Sequence, residues 1–171
     1  SDEEDVLGAT IYGPSGAYFS ALADTIEGHA GDTIILDHTY NNNGGSNRPY
    51  GIAVHDGTVV MGQSTGRVTL DRNSASARLF AVDNGATVTF KNLNMINGHR
   101  HDSAGNKYGG VVHVGTNADV TFENCAFDND YWEQSQGGGV IHACQGSKIT
   151  LINCVFTNCR ASNYNGGAIY C

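Results

Sequence analysis

The chain has 171 residues, enough for one domain that buries roughly 70% of its unfolded surface. It is 40% apolar but only 15% charged, with 23 Gly, 2 Pro and a net charge of -8, so Asn, Thr, Ser and Gly carry the polar share. The acidic balance and the lack of a Lys/Arg cluster argue against a nucleic-acid partner, and no apolar run has the length of a membrane span.

Residues 1–17 form an N-terminal segment opening on "SDEED", which reads as a solvated acidic tail at a mature N-terminus. In "FSALADTIEGHAG", Ala21, Leu22, Ile26 and Ala30 fall at helical spacing, with Ser20 placed to cap and Gly28 and Gly31 near the end. The spacing predicts a helix over 18–31 that plugs the open end of whatever follows. Residues 32–171 read as strands. "DTIILDHTY" and "GIAV" followed by "TVVM" start irregular coils, and "YNNNGGSNRPYG" at Tyr40 is a loop by composition.

From Val88 onward the chain repeats itself. "VTFKNLNMIN" at Val88, "VTFENCAFDN" at Val120 and "ITLINCVFTN" at Ile149 share one skeleton at offsets of 32 and 29 residues. "GGVVHV" at Gly109, "GGVIHA" at Gly138 and "GGAIYC" at Gly166 follow at 29 and 28, and "RLFAV" at Arg78 fits one repeat earlier. Within each repeat, apolar residues alternate with polar ones in three short stretches, the period of half-buried strands. Three strands per coil of 28–32 residues describes an all-β, right-handed parallel β-helix, whose coils stack at the ~4.8 Å strand spacing.

Stacked coils put like over like. Asn92, Asn124 and Asn153 are expected to form an amide ladder at a corner. Met95, Phe127 and Phe156 should share one inward column, and Cys125 and Cys154 another beneath Leu93. The five cysteines, Cys125, Cys144, Cys154, Cys159 and Cys171, are an odd set without a CxxC pair and read as buried thiols acting as small hydrophobes, with Cys125 and Cys154 expected to stay reduced. The chain stops at Cys171 inside a core strand. It reads as the N-terminal part of a longer repeat protein, with self-association expected through its open C-terminal end.

The alternation of "NCVFTN" with "NGGAIYC" resembles the adhesin-like surface proteins of methanogenic archaea and, more distantly, the chlamydial polymorphic membrane proteins. "FSALADTIEGHAGDTIILDHTY" is similar to the segment that opens the archaeal β-helices, so the resemblance runs from Tyr18 to Cys171. This chain has Phe-x-Asn where the family has Phe-x-x-Asn, and "GGVV" and "GGGV" in place of the small-residue version. The resemblance implies an extracellular, cell-surface attachment protein whose partner is a glycan or protein of another cell, and it carries over no catalytic residues.

Parallel β-helices also host polysaccharide-degrading enzymes, so the site must decide. Asp128, Asp130 and Glu133 in "FDNDYWEQ" are the candidate carboxylates for a lyase or glycoside hydrolase. There is no Asp-Asp pair and no Arg-Ile-Lys, which makes ordinary turn residues the simpler reading. The expectation is a non-enzyme without a cofactor. No metal site is expected, and Asp128 and Asp130 come nearest to a calcium pair. The same turn reads better as a binding surface, with Tyr131 and Trp132 flanked by His99 and His101 on the coil before and Arg160 and Tyr164 on the coil after. Trp132 covering apolar surface outside the coil is the competing explanation. His113 and His142, with Tyr170 next, occupy the outward position of the third strand. Two imidazoles without a carboxylate make an incomplete metal site, and a cross-strand stack is the reading adopted.

Overall fold

The computed structural model describes residues 8–42, 48–73, 77–100, 108–132, 139–161 and 167–171, the side chains of Arg100 and Trp132 excepted. It is a parallel β-solenoid. Its first sheet stacks Thr10–Tyr12, Thr33–Leu36, Val59–Gly62, Thr87–Lys91, Asp119–Glu123 and Lys148–Ile152. The second stacks Tyr40–Asn41, Val68–Asp71, Leu93–Ile96, Ala126–Asp128 and Val155–Thr157, and the last stacks Ile52–Val54, Phe80–Val82, Val112–Val114, Ile141–Ala143 and Ile169–Tyr170. All of these strands pair in parallel.

The register follows the repeated phrases. Val120 lies between Val88 and Ile149, Phe127 between Met95 and Phe156, and His113 between Ala81 and His142. Inward positions fill a single core, with Phe90, Phe122, Leu70, Met95, Phe127, Phe80, Val112 and Ile141 all fully buried. The aromatic columns stack closely: Phe90 on Phe122 at 5.2 Å and Phe127 on Phe156 at 4.6 Å. Burial of rings like these contributes on the order of 2–3 kcal/mol each, which is what sets the register.

Corners are made by asparagine. Asn92, Asn124 and Asn153 all sit at positive φ, between 50° and 55°, where Asn is the residue after Gly that best tolerates left-handed backbone. Asn124 Nδ2 donates to Asn92 Oδ1 at 2.8 Å, and Asn92 Nδ2 to Gly62 O at 3.3 Å. The next corner is made by Asn97, Asn129 and Asn158, also at positive φ, with Asn129 Nδ2 donating to Asn97 Oδ1 at 2.7 Å and Asn158 Nδ2 to Asp128 Oδ1 at 3.1 Å. Where a Cys follows a corner Asn, its thiol also reaches a carbonyl of the coil before. Cys125 Sγ donates to Phe90 O at 3.5 Å and Cys154 Sγ to Phe122 O at 3.3 Å, and all five cysteines are free.

Each later coil has a fourth, two-residue strand after the second Asn corner. His99–Arg100, Tyr131–Trp132 and Arg160–Ala161 pair in parallel as a short sheet, so Tyr131 and Trp132 do not lie in a loop as their polar surroundings suggested. The turn that Asn129 and Asp130 make brings the chain straight enough to pair again.

The helix runs over Phe19–Gly28, shorter than 18–31. Tyr18 is its N-cap and makes no side-chain cap, so Ser20 lies inside the first turn and does not cap. Phe19, Leu22, Ala23 and Ile26 are the buried face, while Ala30 is exposed beyond the C-terminus. The helix packs on Tyr40–Asn41 and Ile52–Val54, covering the core where strands of an earlier coil would otherwise lie. Thr10–Tyr12 continues the first sheet beside it. Arg48 clamps the helix, donating from Nε to Glu27 at 2.9 Å and from Nη2 to Asp24 at 2.7 Å. Beneath it, Arg72 is fully buried with its guanidinium 3.8 Å from the centre of the Phe19 ring, and burial lowers its pKa to about 10. At the opposite end, the edge strands carry exposed Leu151, Ile152 and Val155. No helix among the described residues is long and apolar enough to cross a membrane.

Candidate functional site

The short sheet brings three of the sequence-derived binding residues into one column. His99 pairs with Tyr131 and Tyr131 with Arg160. The His99 and Tyr131 rings are 5.0 Å apart, and the Arg160 guanidinium lies 4.5 Å above the other face of Tyr131. Arg160 is exposed, and His99 and Tyr131 are half-buried. Because neighbours occupy both faces of the Tyr131 ring, the column offers a hydroxyl, an imidazole and a guanidinium at its rim and no open aromatic face. Trp132 lies in the next column, paired with Arg100 and Ala161, and its side chain is outside the described residues, as are His101, Tyr164 and Glu133.

The carboxylates separate. Asp128 is half-buried and accepts from Asn158 Nδ2 at 3.1 Å. Asp130 is fully buried: Oδ1 accepts from the Gly98 amide at 2.8 Å, and Oδ2 has no hydrogen-bond partner. Burial, reinforced by the nearby charges of Asp128 and Asp71, pushes its carboxyl well above the usual range, and the group is turned inward. Neither residue belongs to a metal-ligand group among the described residues.

A second constellation lies on the outer side of the last sheet, and the sequence showed only part of it. The His113 and His142 rings stack 5.8 Å apart at 2° from parallel, and Tyr170 continues the column 5.3 Å from His142. They are not open to solvent, as an outward strand position suggested, being only 6% and 8% exposed. Gly109 makes the cover. At φ 98° it turns the chain back over the strand, and a Cβ there would lie 2.5 Å from Val112 O. Tyr108 then faces the column, its backbone N and O at 3.1 and 3.2 Å from His113 Nδ1 and its ring 5.0 Å from His142.

Cys144 completes this group. Its Sγ is 3.7 Å from His113 Nε2 and 3.9 Å from His142 Nδ1, and one donor atom from each of the three residues lies within 4.8 Å of the others. The thiol is held on a tight turn by the Cys144 amide bonding to Val114 O at 3.0 Å and by Ser147 Oγ donating to Cys144 O at 2.5 Å. It is therefore no core thiol like Cys125. The readable signal was His142-x-Cys144, two residues apart on one side of a strand, with His113 a repeat of 29 residues earlier. Burial, with the positive charge of Arg78 adding to it, lowers the His142 pKa to about 4, and burial also raises that of the Cys144 thiol. Arg78 is itself buried, donating from Nε to Gly109 O at 3.1 Å.

Protein-family models, curated proteins and solved structures were all compared with the chain, and none matches it.

Proposed function

We propose that the chain is a recognition module of the cell surface, binding a glycan or protein of another cell through its short sheet. The observation that supports this reading is the His99–Tyr131–Arg160 column, three hydrogen-bonding side chains held in register on successive coils. With the Tyr131 ring sandwiched, recognition proceeds through the hydroxyl, imidazole and guanidinium rims, which suits a hydroxyl-rich ligand carrying scattered anionic groups. The rigid solenoid repeats such a rim at the coil spacing, so an extended ligand meets several weak contacts at once.

Of the competing polysaccharide-degrading enzymes, a lyase or a glycoside hydrolase, the hydrolase would need two carboxylates facing the same groove. Asp130 turns inward, which separates it from Asp128 for that purpose. The test is retention of the purified chain on immobilised glycans and on intact cells, with Arg160→Ala alongside. Retention that weakens in the variant supports the reading. Release of reducing or unsaturated ends from pectin or alginate, abolished by Asp128→Ala, would overturn it in favour of the enzyme.

A further inference from the structure

We propose that His113, His142 and Cys144 form a binding site for a thiophilic d10 metal ion, zinc(II) or copper(I). The site lies on the last sheet, apart from the short-sheet column, and stands independently of the recognition reading.

The donor set is the first argument. Two imidazoles and one thiolate suit these ions, and oxygen-preferring ions such as magnesium or calcium are poorly served. Geometry is the second. Bonds of roughly 2.0–2.3 Å in a tetrahedral arrangement put neighbouring donors roughly 3.5 Å apart. Cys144 Sγ already stands 3.7 and 3.9 Å from the two ring nitrogens and the three donor atoms lie within 4.8 Å of one another, so the set closes when the imidazoles turn out of their parallel stack towards one ion.

The surroundings supply a third. A ligating histidine ordinarily donates its other N–H to a carbonyl or carboxylate, which fixes the ring and the tautomer. Tyr108 O and N lie 3.2 and 3.1 Å from His113 Nδ1, so the ring either donates to the carbonyl or accepts from the amide, and the tautomer that donates to Tyr108 O frees the Nε2 lone pair, 3.7 Å from Cys144 Sγ. The His142 ring is held further by contact with the Tyr108 and Tyr170 rings. Cys144, half-buried at the rim of the cluster, gives the ion its way in.

Binding exchanges the Cys144 proton for the metal: the S–H bond breaks, the S–metal bond forms, and the proton leaves to solvent. The complex then carries no net charge with copper(I) and one positive charge with zinc(II). Beside the buried Arg78 guanidinium, the neutral complex costs less to hold, so charge favours copper(I) of the two.

The experiment uses the full chain, stripped with a chelator and kept anaerobic. It is titrated with zinc(II) and with copper(I), and with cobalt(II) as a spectroscopic stand-in for zinc. The expected result is one equivalent bound, a thiolate-to-cobalt charge-transfer band, and tighter binding of copper(I). Cys144→Ser should weaken binding at least roughly 100-fold and remove the band, whereas Cys171→Ser leaves both intact. In the wild-type chain, one equivalent of metal should protect Cys144 from iodoacetamide and leave Cys171 reactive, a readout that needs no variant to fold. Binding that survives Cys144→Ser, or alkylation of Cys144 at the same rate with and without metal, would overturn the assignment.

Discussion

Asn124 donates from Nδ2 to Oδ1 of Asn92 at 2.8 Å across one coil step, while both backbones sit in the left-handed region at φ 50° and 55°. The same nitrogen also reaches Thr65 O at 3.1 Å. One residue type thus supplies the corner's backbone conformation and the bond between coils. Asn124→Ala removes both and should cost about 2–3 kcal/mol, the sum of a lost half-buried amide and a left-handed alanine. Asn124→Gly restores the backbone freedom and should recover about 1 kcal/mol of that. Urea unfolding of the three proteins measures the difference. Equal losses for Ala and Gly would mean the backbone conformation contributes nothing.

Phe127 sits in register between Met95 and Phe156, with its ring 4.6 Å from that of Phe156 and 5.6 Å from that of Phe122. Phe127→Ala should cost about 3–5 kcal/mol. Phe156, half-buried, should cost distinctly less under the same substitution. Denaturant midpoints check the order. A larger loss at Phe156 would contradict the depth assigned to the two positions.

Much of this was legible because the chain writes each position more than once. Three phrases at offsets near 30 residues fixed the register of the first, second and last sheets. Alternation fixed which side chains point inward. The short sheet was not legible, because two-residue strands hold no period. Asn97, Asn129 and Asn158 were visible as a repeated letter but not as a corner. Arg72 and Arg78 were missed as buried residues because charge alone argues for solvent, and only the folded chain shows the Phe19 ring over one and the Gly109 carbonyl beside the other. Cys144 was grouped with the core thiols by residue type, whereas its turn directs it to the outer imidazoles. His101 and Tyr164 lie outside the described residues.

Asp130 makes stability depend on pH in an unusual direction for a carboxylate. Its pKa is raised in the folded chain from an ordinary 3.8, so the folded state holds a proton that the unfolded state has released. That contribution is complete below 3.8 and is lost as pH rises through the folded-state value. Asp130→Asn keeps the acceptor for the Gly98 amide and has nothing to ionise. The variant should therefore gain on the wild type as pH rises from 4 towards neutrality, read as thermal midpoints across a pH series. A constant difference between the two proteins would show that Asp130 does not titrate with folding.

Cysteine reactivity should follow burial. Cys125 is fully buried, and burial pushes its thiol up to about 12, while Cys171 is exposed. Alkylation of the native chain at neutral pH, mapped by mass spectrometry, should modify Cys171 first and leave Cys125 unmodified until the chain unfolds. Early modification of Cys125 would place that column outside the core.

Recognition through the short sheet is tested most directly by the affinity of Tyr131→Ala and Arg160→Ala for whichever immobilised glycan or cell surface retains the wild-type chain. Both side chains lie at the outer rim and not in the core, so the fold should stand, as far-ultraviolet circular dichroism would verify. Each substitution should weaken binding roughly 10-fold or more, since it removes a central polar contact worth at least about 1.4 kcal/mol. Folded variants that bind as tightly as the wild type would contradict the placement of the binding surface on this sheet.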